Sequence, residues 1–326
     1  MTRTPRLLAL LLLVGGCVRA GFEASSAREA SADQAGADQA GTEPDSGACV
    51  PAWRCGGWAV EDPTLVTSLR SSSAEYEPYL TPDCLQIYFA SGRADATAKG
   101  HEDVWSATRP DTAQPFSDVA NVGWLNSQYT DEKVAFSGDG TQVFLSTDRP
   151  GGPGHSDIWW ATRSSPGASF GALAPVAVVN TTAPEYDPWL SADGLRLYFV
   201  TTEAGKTDQD IVMATRASPS SQFGAPVVVP KINSSENDDN PALSSDELLI
   251  IFGSNRPGSQ GDDLWYAVRT DRDVPFSTPE RVPGANSAGY DSEPFIACQD
   301  TALWMASDRD QPGQPPSLYR SRFVAP

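Results

Sequence analysis

Short apolar segments rich in aromatic and β-branched residues recur beyond residue 50, and polar stretches containing Gly and Pro separate them. Residues 197–200 form one such segment, and the preceding Asp193 and Gly194 are a pair that favours a two-residue hairpin turn. No long stretch has the periodicity of an amphipathic helix. The pattern therefore predicts an all-β protein made of short strands and tight turns.

These strands belong to an internal repeat whose copies keep the same polar positions in the same order. A polar turn after the first strand recurs every 53 to 56 residues, at Asp83, Asp139, Asp193, Asp246 and Gln299. The third strand of each copy begins at Asp103, Asp157, Asp210, Asp263 and Ser317. Each copy accommodates four short strands, as a propeller blade does. The sequence predicts a single five-bladed β-propeller with four antiparallel strands per blade.

The two ends of the repeat array predict how the ring closes. The fifth copy ends near Arg322 after its third strand, whereas a segment resembling a fourth strand precedes the first copy at residues 58–68. We expect this N-terminal segment to complete the fifth blade, because a closed ring leaves no exposed sheet edge.

The third copy combines Glu185, Pro188 and Leu190 with the Asp-Gly turn and a Leu-Tyr-Phe segment, and the second copy adds Asp-Ile-Trp at residues 157–159. This pattern resembles the WD40-like PD40 repeat of TolB-type propellers over residues 75–323. The resemblance implies a propeller that docks other proteins in the cell envelope. The N-terminal α/β domain of TolB has no obvious counterpart here, so TolB's own role is not implied.

The N-terminus has the order of features found in a lipoprotein signal. Arg3 and Arg6 precede an apolar run at residues 7–14, which is too short to span a bilayer. Small residues then precede Cys17, and this segment resembles the lipobox of bacterial lipoproteins. The alternative is an ordinary secretory signal with an incidental cysteine. An Asp after the lipidated cysteine favours the inner membrane in enteric bacteria, so Val18 indicates the outer membrane.

The chain is thus expected to comprise a cleaved signal (1–16), a lipidated flexible tether (17–48) and the propeller (49–326). The tether is rich in Ala, Ser, Gly, Asp and Gln and contains nothing that could form a core. The formal net charge of −19 disfavours nucleic acid and anionic lipid as partners. We expect a monomer attached to the membrane through its lipid anchor only.

One acidic position recurs in all five copies, three residues before the first-strand proline position. It is occupied by Glu75, Asp131, Glu185, Asp238 and Asp291. Since first strands line a propeller's central channel, these carboxylates are expected to circle one mouth and to attract a basic partner or a cation such as calcium. The alternative is that each carboxylate accepts hydrogen bonds from its own turn.

Other polar residues lead to weaker expectations. The arginines after strand two are expected to pair with the third-strand aspartates, as Arg93 with Asp103, Arg149 with Asp157 and Arg256 with Asp263. Glu203 replaces this arginine in the third copy and lies near Asp208 and Asp210. The only histidines, His101 and His155, precede third strands, but their spacing matches no metal motif.

Four cysteines remain after lipidation, and they allow three pairings. Cys49 and Cys55 are close in sequence. Cys84 and Cys298 lie at equivalent turns of the first and fifth copies, which ring closure makes neighbours. We expect these two disulfides, and a Cα separation above about 7 Å would exclude the second.

Three functions are open at this stage. The leading hypothesis is a tethered, non-catalytic envelope module that docks a protein partner or binds a ligand. The alternatives are a glycoside hydrolase with carboxylates in the central funnel and a carbohydrate-binding propeller that uses aromatics such as Trp124, Trp160 or Trp189. No Ser-His-Asp arrangement, phosphate loop or Cys-His zinc spacing is visible in the sequence.

Overall fold

Each sequence repeat folds into an antiparallel sheet in the computed structural model, which describes residues 52–55, 57–202 and 207–325. A 3₁₀ helix (Ala52–Cys55) precedes two short strands, β1 (Ala59–Val60) and β2 (Thr64–Leu65). Blade one contains β3 (Glu75–Leu80), β4 (Gln86–Ser91), β5 (Asp103–Thr108) and β6 (Ser117–Asn121). Blade two contains β7 (Asp131–Phe136), β8 (Gln142–Thr147), β9 (Asp157–Thr162) and β10 (Ala174–Pro175).

The remaining blades repeat this order. Blade three contains β11 (Glu185–Leu190), β12 (Arg196–Thr202), β13 (Gln209–Thr215) and β14 (Val227–Val228). Blade four contains β15 (Asp238–Leu243), β16 (Leu249–Ser254), β17 (Asp263–Val268) and β18 (Glu280–Arg281). Blade five contains β19 (Asp291–Ala297), β20 (Ala302–Ser307) and β21 (Ser317–Val324). The five-bladed, all-β architecture predicted from the repeat is confirmed.

The N-terminal strands complete blade five, as the repeat pattern predicted. Both β1 and β2 pair antiparallel with β21, so Val60 lies opposite Phe323 and Leu65 lies opposite Tyr319. Gly284 of blade four permits this approach: it has a φ of +83°, and a Cβ there would lie 2.4 Å from the Val60 carbonyl oxygen. Glycine alone accepts both constraints without strain.

The apolar core lies in the seams between blades. In one seam, Phe144 of blade two packs with Leu197 and Phe199 of blade three. In another, Phe89 of blade one packs with Trp304 of blade five. The stability of each sheet therefore depends on its neighbours, as in other repeat architectures.

A disulfide joins the first and last blades. It connects Cys84 and Cys298, whose Cα atoms are 5.6 Å apart. The expected Cys49–Cys55 disulfide, the lipidation site Cys17 and the tether lie outside the described part of the chain. No helix in the described residues is long and apolar enough to cross a membrane.

Candidate binding site in the central channel

The first strand of every blade contains a β-bulge near its middle. In blade one, for example, Tyr76 lies opposite Ala90 but Tyr79 lies opposite Tyr88, so the inner strand has one extra residue. The bulge residues are buried and have φ values between 34° and 57°: Glu77, Lys133, Asp187, Asn240 and Glu293. We call these five the waist residues. A bulge redirects a side chain locally, which explains how this position reaches the axis of the ring.

The waist residues bond to one another across blade boundaries. Glu77 N donates to Glu293 Oε2 at 2.7 Å, and Lys133 N donates to the Glu77 carboxylate. Asn240 N donates to Asp187 Oδ2 at 3.3 Å, and Lys133 Nζ spans the ring to Asn240 Oδ1 at 3.3 Å. The axis is therefore occupied by a buried polar network.

The acidic members of this network hold protons more tightly than carboxylic acids in water. Burial first, and then the charge of Asp187, raises the pKa of Glu77. Burial raises the pKa of Glu293 to about 7, although the Tyr290 hydroxyl, which donates to it at 2.6 Å, and Lys133 act in the opposite direction. Burial likewise raises the pKa of Asp239, which precedes Asn240, to about 7. The three waist carboxyls (Glu77, Asp187 and Glu293) surround the single Lys133, and this arrangement favours partial protonation of the network near neutral pH.

The five recurring acids lie elsewhere. Their side chains are fully buried at the first residue of each inner strand: Glu75, Asp131, Glu185, Asp238 and Asp291. Each accepts hydrogen bonds from its own preceding turn, as Glu75 Oε1 does from Ser71 N at 2.8 Å and Glu185 Oε2 from Thr181 N at 3.0 Å. The structure thus places these carboxylates within their own blades, as the alternative interpretation had it.

The expected pairing of arginines with third-strand aspartates was wrong. Arg93 bonds Glu75 at 3.2 Å, and Arg309 bonds Asp291 at 2.7 Å. The equivalent pairs in blades two and four are Arg149 with Asp131 and Arg256 with Asp238. The first-strand acid is fully buried, and the hydrogen bonds from its turn do not neutralise its negative charge. The guanidinium group therefore pairs with this acid.

The third-strand aspartates bind their local loops instead. Asp103 Oδ2 accepts from Lys99 N at 2.7 Å, and Asp263 Oδ2 accepts from Gln260 N at 3.1 Å and pairs with Arg281 at 2.7 Å. These bonds to main-chain N–H groups are set by the loop conformation, which no side-chain pattern in the sequence indicates.

No group of three His, Cys, Asp or Glu side chains in the described residues is arranged to hold a metal ion. His101 and His155 are exposed in loops before β5 and β9. Glu203 lies outside the described residues. The described acids therefore offer no support for the expected calcium site.

A cavity of about 280 Å³ opens where the inner strands end, on the side of the waist that faces the first turns. Its walls are mostly aromatic and proline side chains, and Lys133 also lines it. The aromatic and proline residues are Tyr79, Phe136, Trp189, Phe295, Pro188, Pro241 and Pro294. The Tyr79 ring lies 5.3 Å from that of Phe136 and 5.0 Å from that of Phe295. We call this the mouth cavity.

The polar side chains around the mouth cavity are already bonded to one another. Thr81 Oγ1 donates to Asp83 Oδ1 at 2.6 Å. Ser245 Oγ donates to Asp300 Oδ2 at 2.7 Å, and Asp300 also accepts from Ser245 N. The cavity therefore offers an apolar surface with few groups available to a polar ligand.

Sequence reasoning identified one residue of this cavity and missed the waist. Trp189 was among three candidate binding aromatics. Of the other two, Trp124 is 48% exposed and stacks on Phe170 at 4.7 Å, whereas Trp160 is half-buried. The waist positions recur with the spacing of the five acids, two residues later, but their mixed residue types concealed them.

No family model and no curated protein matches this chain. Solved structures do resemble it. An α-L-arabinofuranosidase from Podospora anserina has 9% identity and a TM-score of 0.54, and the match covers 83% of this chain and 97% of that one. A thermostable family-43 glycoside hydrolase has 15% identity and a TM-score of 0.52, with 79% and 92% covered. TolB from Acinetobacter baumannii has 14% identity and a TM-score of 0.46, with 79% and 56% covered. At these identities the two hydrolase likenesses show a shared fold alone, and the TolB likeness is too distant to carry an argument.

Proposed function

We propose that this chain is a non-catalytic docking module that binds a protein partner of the bacterial cell envelope at the mouth cavity. The observation that carries the proposal is the cavity itself, at the centre of one propeller face. Its walls are apolar and aromatic, and its volume of about 280 Å³ suits one or two large side chains. Aromatic and aliphatic anchors in such sites supply most of the binding energy of a protein interface.

The carboxylates of the channel do not favour glycoside hydrolysis. A glycosidase needs two carboxyl groups about 5–9.5 Å apart, with room for the sugar between them. Here Glu77 and Asp187 are buried, and each accepts a hydrogen bond from a main-chain N–H group, of Lys133 and Asn240 respectively. Asp300, at the cavity wall, is bonded to Ser245. A sugar in this cavity would also leave most of its hydroxyl groups without partners.

The lipid anchor is part of the same proposal and rests on the small residues before Cys17. Attachment through several acyl chains would hold the propeller at the membrane, where envelope partners are found. We expect labelled fatty acid to be incorporated into the native chain and not into a Cys17→Ser variant.

The test of docking is to measure partner capture and ligand binding with Trp189→Ala and a matched Trp124→Ala variant. Trp189 lines the mouth cavity, and Trp124 is an exposed tryptophan outside it. Loss of the anchor contact should weaken partner binding by about 2 kcal/mol, or roughly 30-fold, in the first variant only.

Candidate partners are first cross-linked in the envelope and then assayed as purified proteins by calorimetry. Equal binding by both variants would contradict docking at the mouth cavity. Binding of oligosaccharides that depends on Trp189, without a protein partner, would replace docking with carbohydrate binding.

A further inference from the structure

A second cleft, rich in arginine, lies at the seam where blade five meets blade one. Its volume is about 580 Å³, and its lining includes Arg109, Arg320 and Arg322. An adjoining cavity of about 250 Å³ shares Arg109, Arg320 and Trp304 with it. We call the two together the seam cleft. It concentrates positive charge on a chain whose formal net charge is −19.

These guanidinium groups have fewer partners than the arginines that hold the inner strands, such as Arg149. Among the described residues, the side chains of Arg320 and Arg322 make no hydrogen bond or ion pair. Arg109 donates through Nε to the Cys84 carbonyl oxygen at 2.8 Å and through Nη1 to the Thr112 carbonyl oxygen at 3.4 Å. No described acceptor meets its Nη2.

Like charges face one another in the cleft. Burial, and then the positive charge of Arg320, lowers the pKa of the buried Arg109. Arg320 lies opposite Trp304 in the sheet, and Arg322 lies opposite Ala302, so the two arginines project from the same face of blade five. An anion bound between them would relieve this repulsion.

Equivalent arginines in other blades show how Arg109 could be satisfied within the protein. Arg216 and Arg269 occupy the position of Arg109 in blades three and four. Arg216 Nη2 donates to Gln142 of the preceding blade, and Arg269 Nη2 donates to Tyr198 OH at 3.3 Å. The residue of blade five in register with Gln142 is Ala302, which has no acceptor. Arg109 therefore lacks the internal partner that Arg216 and Arg269 have, as does Arg163 of blade two, whose guanidinium donates, among the described residues, only through Nε to the Gly140 carbonyl oxygen.

A fourth unpaired donor completes the cleft. The Trp304 indole is 1% exposed and lines both cavities, and its Nε1 has no hydrogen-bond partner among the described residues. A buried donor without an acceptor is costly unless a ligand or water satisfies it. The three guanidinium groups and this indole are donors, and they outnumber the two carboxylates at the cleft, Glu61 and Asp62, so the ligand they match is rich in acceptors.

We propose that the seam cleft binds the phosphate group of a small phosphate monoester. Arginine forks match the oxygens of phosphate, and its negative charge suits a cleft in which three guanidinium groups outnumber two carboxylates. Glu61 and Asp62 lie at the same cleft, and their charge disfavours long polyanions. The volume exceeds that of phosphate alone, which leaves space for the organic part of the ester.

Calorimetry on the full chain tests this site with inorganic phosphate and glycerol phosphate. Vesicles of phosphatidylcholine, with and without phosphatidic acid, test whether the phosphate comes from a lipid headgroup. These vesicle experiments use a Cys17→Ser chain, which lacks the acylation site. Soluble esters that bind assign the site to a small ligand. Binding to phosphatidic acid vesicles alone, dependent on Arg320 and Arg322, assigns it to a headgroup.

Two variants probe the cleft by different routes. Arg320→Gln with Arg322→Gln should weaken phosphate binding about tenfold or more, because charge-assisted hydrogen bonds are lost. Ala302→Gln should weaken it similarly, because the new amide supplies Arg109 with the acceptor that Gln142 provides to Arg216.

The matched control is Arg272→Gln with Lys231→Asn, which removes two positive charges that do not line the cleft. Asparagine tolerates the left-handed backbone of Lys231, whose φ is 69°. This control should bind phosphate within about twofold of the native chain, since distant surface charges are screened. Thermal unfolding establishes that each variant folds. The proposal is overturned if no phosphate probe binds the native chain, or if the Arg320 and Arg322 variant binds as tightly as the control.

Discussion

At the scale of single residues, the waist of the propeller combines burial, charge and an unusual backbone conformation. Non-glycine residues with positive φ are uncommon, yet all five waist residues adopt one. Three of their side chains accept from main-chain N–H groups of neighbouring blades, as Glu293 does from Glu77, and the side chains of Lys133 and Asn240 bond to each other. The strain at each bulge is offset by a bond that ties two blades together.

Glu293 at the waist and Asp239 beside it make stability depend on pH. Burial raises the pKa values of Glu293 and Asp239 to about 7 in the folded protein. The folded state therefore retains these protons more strongly than the unfolded chain between about pH 4 and pH 7. The stabilisation that the two protonated carboxyls contribute is fully present at the acidic end of this pH range. It is lost as the pH rises through 7. We expect the free energy of unfolding, measured by urea denaturation, to fall by roughly 1–3 kcal/mol from pH 5 to pH 8, with the partial exposure of Asp239 limiting its share.

Asp239→Asn should flatten this dependence, because an amide does not titrate. The control is Asp193→Asn, at a turn. Desolvation is the largest single effect on Asp193 and raises its pKa, but the hydrogen bonds from Ser191 and Leu195 outweigh it, so the pKa is lowered. Its contribution is constant above about pH 5, so the pH dependence should be unchanged. A native chain equally stable at pH 5 and pH 8 would contradict the role given to the waist.

At the scale of the elements, an arginine that follows strand two pairs with the acid at the start of strand one in four blades. Arg149 also donates to the Leu125 carbonyl oxygen at 2.6 Å, so it holds the incoming turn as well as Asp131. Glu185 of blade three instead accepts from the Thr181 hydroxyl at 2.6 Å. The buried acid is an anchor for the inner strand in every blade.

Arg149→Met should lower the free energy of unfolding by about 3–5 kcal/mol, because it leaves Asp131 buried without a cation. Adding Asp131→Asn should recover part of that loss, and the double-mutant cycle in urea gives the coupling.

The control Arg272→Met removes a half-exposed arginine that lies 3.7 Å from Glu247 and 4.0 Å from Asp193. Because Arg196 and Arg269 still pair with Glu247, the loss should be under about 1 kcal/mol. Equal losses in the two single variants would show that the buried pair is not an anchor.

At the scale of the whole molecule, two separate features close the ring at blade five. Strands β1 and β2 pair with β21, and the Cys84–Cys298 disulfide connects residues 214 positions apart. The core lies in the seams, so opening one seam would expose the apolar faces of two blades. Closure therefore contributes to the stability of every blade.

Cys84→Ser with Cys298→Ser should lower the free energy of unfolding by about 2–5 kcal/mol, because the disulfide restricts a very long loop in the unfolded chain. Guanidinium unfolding with and without reductant measures this effect. Under reducing conditions the native chain and the variant should coincide. A native chain that stays more stable than the variant after complete reduction would indicate that the serines disturb packing instead.

The sequence by itself determined the number of blades, their strand order, the completion of blade five and the proximity of Cys84 and Cys298. These features follow from register and spacing, which are properties of order along the chain. Only the tertiary structure decided that Arg149 reaches Asp131 and not Asp157, and that Glu77 and not Glu75 lies on the axis. A β-bulge turns one side chain inward where strict alternation would not, and no residue type marks it unambiguously. The cleft that Arg109 lines likewise depends on ring closure, because Ala302, far from Arg109 in sequence, lines the same cleft only in the closed ring.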